Sequence, residues 1–274
     1  MLVFLAVIGA QGAALSALMG AAWAVQRRTG NSGWIDAVWT FGLGAAGAIS
    51  ALFPFEGNAY LGGSGPSGRQ LLVAALVAIW AARLGTHIVQ RSAAKADDPR
   101  YLDLVRQWGD QAGRQLFVLL QKQALVSLPL ALSIYCAAHN TVRPFGLMDG
   151  IAIAIFAVSI LGEAVADRQL SAFIARPENR GRICDAGLWR YSRHPNYFFE
   201  WMHWIAYPVI AIDVTGGYPL GWLALAGPAC MYWLLAYVSG VPPLEAHMVR
   251  RHGSAYRIYQ SRTNAFFPGP LKHV

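Results

Sequence analysis

The chain has few charged residues for its length. Only 13% of its 274 residues are Asp, Glu, Lys or Arg, which is about half of the share in soluble domains, and 55% are hydrophobic. This composition argues against a soluble protein and is typical of an integral membrane protein. Cysteine is also scarce. Cys136, Cys184 and Cys230 are odd in number and widely spaced, which argues against a disulfide framework and a thiolate zinc site.

Several functional signatures are missing as well. The seven His residues form no H-E-x-x-H pattern, so a metal or haem site is not favoured. The last apolar stretch has no Lys for a retinal Schiff base, and no half of the chain repeats the other, which argues against a photoreceptor and an inverted-repeat transporter. The match to G-x-G-x-x-G at residues 42–47 follows no predicted strand, so we interpret it as close helix packing. We expect no metal and no nucleic-acid partner.

The apolar residues fall into seven stretches, most of them close to the ~20 residues that cross ~30 Å of hydrocarbon. The stretches are approximately 2–25, 33–54, 70–90, 116–138, 146–167, 196–213 and 218–240. The sixth is short, so we expect it to be tilted or partly interfacial. The first lacks a positively charged leader, so we expect a retained helix rather than a cleaved signal peptide. We predict an all-α integral membrane protein with seven transmembrane helices in one domain over residues 1–274.

The positions of Lys and Arg predict the orientation. They concentrate in the first, third and fifth connections and in the tail, whereas the other connections hold only Arg69 and Arg143. Cytoplasmic loops carry an excess of Lys and Arg. The amino terminus is therefore predicted outside and the carboxyl terminus in the cytoplasm. The net charge of +8 belongs mainly to one face, where anionic membrane lipids account for part of it.

Ionisable residues within or beside the apolar stretches share one depth. By the predicted topology they lie in the cytoplasmic half: Asp36, Arg83, His87, Lys122, Glu163, Asp167, Glu200 and His203. Residues four apart share a helix face, as Glu163 does with Asp167. Such groups are costly in lipid and usually face a cavity, so the pattern predicts a pocket open to the cytoplasm. The alternative is that they snorkel or form interhelical hydrogen bonds.

The most informative segment, Gly187–Glu200, places Arg, His, Asn, Tyr and Glu at the mouth of an apolar stretch. This run, the preceding Glu163-x-x-x-Asp167, the Arg176–Ile183 loop and the tail Gly253–Pro268 resemble the carboxyl-terminal half of steroid 5α-reductases, and closely resemble their bacterial membrane relatives. The resemblance covers residues 160–268 well and the first half weakly. It implies a seven-helix membrane enzyme that uses NADPH to reduce the 4,5 double bond of a 3-oxo-4-ene steroid or a similar lipid enone.

The resemblance also implies which residues bind the cofactor. Asn196 and Glu200 match residues that hold the nicotinamide end, and Asp167, Arg176 and Arg182 match a polar loop around the ribose and phosphates. Arg residues would form charge-assisted hydrogen bonds to the phosphates, while carboxylates would accept from ribose hydroxyls or the carboxamide. The full predicted set is Glu163, Asp167, Arg168, Arg176, Arg182, Trp189, Tyr191, Arg193, His194, Asn196, Tyr197, Glu200, Tyr259 and Arg262.

The substrate end departs from the family pattern. Arg83 falls where the family has an Arg, but His87 stands where it has a Tyr that polarises the ketone, and Asp36 stands where it has a Gln-Glu pair. Hydride addition to an enone builds negative charge on the ketone oxygen, so a hydrogen-bond donor there lowers the barrier. We expect His87 to supply that donor, with Asp36 orienting its ring. A Tyr or Lys122 is the alternative donor.

Other functions remain open. Arg193-His194-Pro195-x-Tyr197, with an acid near Glu245, also resembles isoprenylcysteine carboxyl methyltransferases and membrane phospholipid methyltransferases, which bind S-adenosylmethionine. A lipid-binding or transport module is the non-enzymatic alternative. We expect the loops 91–115 and 168–195 and the tail 241–274, which begins with the helix-breaking Pro242-Pro243, to cover the cofactor.

Overall fold

The computed structural model describes residues 2–53, 65–94 and 99–272, and in these ranges every named element is helical. The α-helices are α1 (Leu2–Thr29), α2 (Gly33–Leu52), α3 (Gly68–Ala94), α4 (Pro99–Trp108), α5 (Ala112–Val126), α6 (Leu128–Ala138), α7 (Leu147–Ala175), α8 (Pro195–Trp204), α9 (Ala206–Ala211), α10 (Ala226–Trp233), α11 (Val241–His252) and α12 (Ser254–Arg262). A π-helical turn, Leu234–Val238, follows α10. The all-α prediction is confirmed for these ranges.

Six segments of the described chain are long and apolar enough to cross a membrane. They are Val3–Thr29, Gly33–Leu52, Gly68–Ala93, Tyr101–Ala138, Leu147–Ala175 and Pro219–His252. They include six of the seven predicted stretches, so the chain is an integral membrane protein. The remaining stretch, 196–213, contains two short helices, α8 and α9, instead of one long helix.

Proline explains why several of these segments are broken. A proline ring clashes with the carbonyl four residues earlier, so proline is tolerated only in the first turn of a helix. Pro208 therefore ends α8 at Trp204, and Pro129 separates α5 from α6 at Ser127. Pro195 begins α8 in the same way, and Pro242 begins α11. The predicted break at Pro242-Pro243 is confirmed.

The chain divides into two compact units, which are described separately. Unit 1 comprises Met1–Asp149 and Tyr207–Gly227. Its helices α1, α2, α3 and α6 pack closely through glycine. An added Cβ would lie 1.9 Å from Leu18 at Gly42, 2.3 Å from the Ala81 Cβ at Gly44 and 2.8 Å from Ile134 at Gly47. These glycines permit close approach of the helices, which confirms the packing interpretation of the residues at 42–47.

A buried ion pair fixes one end of unit 1. Arg69, at the start of α3, donates to both carboxylate oxygens of Asp149, each at 2.9 Å, and both side chains are almost fully buried. The same guanidinium donates to the carbonyls of Asn140, Arg143 and Pro144 in the α6–α7 connection. Arg69 is therefore a structural residue that holds this connection against α3.

Unit 2 comprises Gly150–Ala206 and Pro228–Val274. It contains most of α7, the connection after it, α8, α10, α11, α12 and the tail. Aromatic side chains from three of these segments pack together: Phe198 on α8, Tyr232 on α10 and Phe266 in the tail. The Phe266 ring lies 5.2 Å from Tyr232 and 6.4 Å from Phe198. This cluster attaches the tail to the helices.

Candidate functional site

The Gly187–Glu200 segment is held against α7 by two hydrogen bonds. The Trp189 indole donates to the Ala166 carbonyl at 3.0 Å, and the Leu188 amide donates to the Gln169 side chain at 2.8 Å. Gly187 has a φ of 61°, and a Cβ there would lie 2.5 Å from the Gln169 oxygen. Glycine is needed here because any other residue would be strained and would collide with Gln169. The segment thus enters the site in a fixed position.

The tail runs alongside this segment. Ser192 and Asn264 form an isolated parallel β-bridge, and the Arg193 amide donates to the Asn264 carbonyl at 2.9 Å. The buried Ser192 hydroxyl donates to the Phe266 carbonyl at 2.8 Å. Two parts of the chain that are about 70 residues apart therefore form one backbone arrangement. The sequence predicted that the Gly187–Glu200 segment and the tail both contribute to the site, and the structure shows that they are in contact.

Glu245 lies at the centre of a buried polar cluster that joins the two parts. Its carboxylate accepts from Arg193 Nε at 2.6 Å, from His194 Nε2 at 3.0 Å and from the Gln260 side chain at 2.7 Å. The Arg193 guanidinium also donates to the carbonyls of Gln260 and Thr263. Arg193 is thus occupied by protein groups, and its geometry is that of a positioning residue.

His194 is almost completely buried, and its ring stacks on Tyr197 with the ring planes 11° apart. Burial lowers the pKa of His194 below its usual 6.5, and the hydrogen bond to Glu245 opposes that shift only in part. The neutral ring therefore donates from Nε2 to Glu245. Its Nδ1 is then an acceptor that is buried and has no hydrogen-bond partner among the described residues.

Helices α7 and α8 run antiparallel, as three contacts show. The Phe156 and His203 rings are 6.0 Å apart, a Cβ at Gly162 would meet the Phe199 ring, and Asn196 Nδ2 donates to Asp167 Oδ1 at 3.3 Å. As residue numbers rise along α7, they fall along α8. This register places Glu163 level with Phe198 and Phe199, next to Glu200 in the sequence of α8.

The α7–α8 polar strip, which we define as Glu163, Asp167, Asn196 and Glu200, follows from this register. Asp167 and Asn196 are bonded, and the other two members are buried carboxylates one turn further along each helix. Glu200 accepts from the Trp204 indole at 3.3 Å. Asp167 and Asn196 are thus in contact across the two helices, and the i,i+4 spacing places Glu163 and Glu200 on the same helix faces as these two residues.

The predicted phosphate-binding residues lie at the surface of unit 2. Arg168, Arg176, Arg182 and Arg262 are exposed, and so is Tyr191. Tyr259 is instead buried, and its hydroxyl donates to the Trp189 carbonyl. Burial raises the pKa of Tyr259, which keeps it a neutral donor. The exposed guanidinium groups are accessible to an anion, whereas Tyr259 holds the Gly187–Glu200 segment.

The predicted catalytic residues Asp36, Arg83 and His87 belong to unit 1. Asp36 lies in the first turn of α2, and Arg83 and His87 lie one turn apart on α3, all three half-buried. Asp36 Oδ1 accepts from the buried Tyr101 hydroxyl at 3.1 Å, and that hydroxyl accepts from Gln123 at 3.1 Å. The pairing of Asp36 with His87 stays a prediction.

Sequence reasoning missed Tyr101, Gln123 and Gln260, and it noted Glu245 only in passing. Glu245 did leave a signal, because it is the sole acidic residue in the apolar segment Pro219–His252. Tyr101 left none, since tyrosine beside a membrane is usually an interfacial anchor. Among the described residues, no group of His, Cys, Asp and Glu has the arrangement of a metal site.

The chain was compared with known proteins. Residues 22–263 match the model of a family described as a protein of unknown function, DUF1295. A protein of Schizosaccharomyces pombe (strain 972 / ATCC 24843), described as uncharacterized protein C594.04c, is 27% identical over 272 residues, which cover 90% of this chain and 75% of that protein. No solved structure matches the chain.

Proposed function

This chain belongs to the DUF1295 family, and from the geometry of its site we propose that it is a membrane reductase that uses NADPH. Its substrate class would be a 3-oxo-4-ene steroid or a similar lipid enone. The observation that carries the proposal is the α7–α8 polar strip, in which Asp167 and Asn196 are bonded and two buried carboxylates lie alongside. A carboxylate has two oxygens that can each accept more than one hydrogen bond, so these groups could accept from the ribose hydroxyls and the carboxamide of a nicotinamide cofactor.

The chemistry of the side chains fits NADPH at both ends. Exposed Arg168, Arg176, Arg182 and Arg262 would hold phosphates by charge-assisted, often bidentate hydrogen bonds. The buried Nδ1 of His194 is an acceptor that has no hydrogen-bond partner in the part of the chain that the structure describes. Arg193 and Glu245 hold this part of the site together without contacting the cofactor.

The residues of unit 1 would act at the substrate. A bound NADPH would supply a hydride to the β carbon of the enone, and a proton from solvent would complete the reduction at the α carbon. The negative charge that develops on the ketone oxygen requires a donor, a role we assign to His87 with Arg83 one turn away. Asp36 would orient the His87 ring through a hydrogen bond. Tyr101, bonded to Asp36, would orient that carboxylate.

The proposal includes a topology. We place the protein in the inner membrane of a bacterium, with the amino terminus outside and the carboxyl terminus in the cytoplasm. The seventh crossing would combine α8 and α9, which span residues 195–211 with a break at Ile205. The substrate would enter from the bilayer, where lipids partition, and the charged cofactor from the cytoplasm.

Methyl transfer from S-adenosylmethionine is the second candidate. The observation that favours it is the buried cluster of Arg193, His194 and Glu245, since R-H-P-x-Y followed by an acid is the pattern that the methyltransferases share. S-adenosylmethionine has no phosphate, and its single carboxylate would occupy one guanidinium group rather than a set of exposed Arg residues. We therefore rank the reductase first.

Cofactor binding by the purified full-length protein tests the choice. NADPH at 100 times its Kd should add ~2.7 kcal/mol of apparent stability, and S-adenosylmethionine should add none. Asn196→Ala and Glu200→Gln should each weaken NADPH binding at least about tenfold, which is ~1.4 kcal/mol. Glu178→Gln, an exposed acid in the same connection as the motif, should leave binding unchanged.

Turnover is then measured as NADPH oxidation against a panel of steroid and non-steroid enones. Oxidation that depends on one enone class would identify the substrate class. Stabilisation by S-adenosylmethionine alone would overturn the reductase proposal in favour of the methyltransferase. Stabilisation by neither cofactor would favour the lipid-binding alternative.

A further inference from the structure

A surface pocket of about 380 Å³ lies within unit 2, beside the tail. Three parts of the chain form it: the connection before α8, the helix α12 and the segment after α12. Its apolar walls include Ile183, Ile258 and Leu271. Tyr259 lines the interior, where its bond to the Trp189 carbonyl holds it in place. The position of Tyr259 in the pocket is therefore fixed by the protein itself.

Two positive groups and one negative group line the same pocket. Arg190, Arg262 and Asp185 are all exposed. Within the described ranges, neither guanidinium has a hydrogen-bond or salt-bridge partner. This contrasts with Arg193 nearby, whose Nε donates to Glu245 and whose Nη1 donates to two carbonyls. The pocket thus presents unpaired donors with a net charge of +1.

The arrangement specifies the chemical class of a ligand. Two guanidinium groups suit a phosphate monoester, which carries about two negative charges and accepts bidentate hydrogen bonds. Aliphatic side chains suit the flat faces of a purine. The Asp185 carboxylate would accept from an amino group or a sugar hydroxyl. A phosphorylated purine nucleoside satisfies all three features, whereas S-adenosylmethionine lacks the phosphate.

We propose that this pocket binds the adenosine end of the dinucleotide, with Arg190 and Arg262 on its 2′-phosphate. The inference rests on the proposed function and deepens it, because it makes the protein selective for NADPH over NADH. The two arginines come from segments that the tail brings together, so the selectivity depends on the docking of the tail. Arg262, which was predicted from the sequence as a cofactor-binding residue, would bind the 2′-phosphate, and Arg190 would bind the same group.

Binding of cofactor fragments to the purified full-length protein tests the pocket without any turnover. The probes are adenosine 2′,5′-bisphosphate and adenosine 5′-monophosphate, compared by calorimetry at one ionic strength. Wild type should bind the bisphosphate at least about tenfold more tightly. Arg190→Gln and Arg262→Gln should each remove most of that preference while leaving the affinity for the monophosphate nearly unchanged. Arg257→Gln, an exposed arginine on α12 that does not line the pocket, is the matched control.

Two results would overturn the proposal. One is equal affinity of wild type for the two probes. The other is an Arg257→Gln effect as large as those of Arg190→Gln and Arg262→Gln, which would indicate general surface charge. Failure of the reductase proposal would give a different result. If both pocket variants lose the preference for the bisphosphate but no enone oxidises NADPH, the pocket proposal stands and the proposed reaction is rejected.

Discussion

His194 shows how a side chain at a membrane surface can be held neutral. Its ring stacks on Tyr197, its Nε2 bonds Glu245, and the charged Arg193 and the phenol of Tyr256 lie in the same cluster. Burial disfavours the imidazolium more than the single carboxylate favours it, because that carboxylate is shared with Arg193. The ring therefore serves as a fixed neutral hydrogen-bonding group.

The lowered pKa of His194 predicts acid sensitivity of the fold. Above pH 6.5 the His194 ring is neutral in the folded and in the unfolded chain. Between pH 6.5 and the lower pKa of the folded state, only the unfolded chain binds a proton at this ring. The free energy of unfolding should therefore fall as the pH decreases from about 6.5. Chemical unfolding in detergent at about pH 7.5 and 5.5 should show a smaller decrease for His194→Gln than for wild type. His247→Gln is the control, and an equal decrease in both variants would contradict the prediction.

Arg193 should be among the residues whose replacement is most destabilising. Arg193→Met would leave Glu245 buried beside His194 without its main counter-charge and would release two tail carbonyls. Breaking a buried pair from one side costs about 3–5 kcal/mol. Thermal unfolding of the cofactor-free protein measures the loss of stability, with the variant Arg168→Met, at an exposed arginine, as the control. An effect below about 1 kcal/mol, the value of an exposed pair, would show that the cluster is not structural.

At the scale of helices, the packing of α2 on α3 depends on the absence of side chains. At Gly44 the obstacle is the Ala81 Cβ, which cannot rotate away as a long side chain would. Gly44→Ala should therefore destabilise the protein by about 1–3 kcal/mol, despite the better helix propensity of Ala. Gly9→Ala, with no atom within 4 Å of the added Cβ, should be neutral or stabilising.

A compensating variant makes this test specific. Ala81→Gly in the Gly44→Ala background should recover part of the lost stability, because it restores the space between the two helices. Urea or thermal midpoints of the four variants measure the coupling. Additive effects would mean that Gly44 matters for some reason other than its contact with Ala81.

The positions of the long apolar helices could be predicted from the sequence, because each of them coincides with a run of apolar residues. The stretches 33–54 and 70–90 closely match α2 and α3, because no proline lies within either helix. The stretch 196–213 was misleading, since Pro208 divides it and hydropathy does not register backbone breaks. The i,i+4 pair of Asn196 and Glu200 was predictable from spacing. The bond between Arg193 and Glu245 was not, because 52 residues separate them and no local rule specifies tertiary pairing.

At the scale of the whole molecule, the membrane topology is the main expectation still to be measured. With the amino terminus outside and a seventh crossing at 195–211, a fluorescent protein fused after the carboxyl terminus should mature and fluoresce in bacterial cells. Alkaline phosphatase at the same position should be inactive, because it folds only outside the cytoplasm. The opposite pair of results would place the predicted cofactor residues on the wrong side of the membrane for NADPH.

The parallel bridge between Ser192 and Asn264 has a consequence for biosynthesis. The bonds that residues 259–272 form with residues 189–193 require a segment that is translated after the last apolar segment, Pro219–His252, has been made. Chains grow from the amino terminus, so the earlier spans are synthesised while the loop still lacks its partner. During that interval Arg193 lacks the carbonyls of Gln260 and Thr263, so a nascent chain stalled before residue 259 would have the Gly187–Glu200 segment without the contacts that the tail supplies.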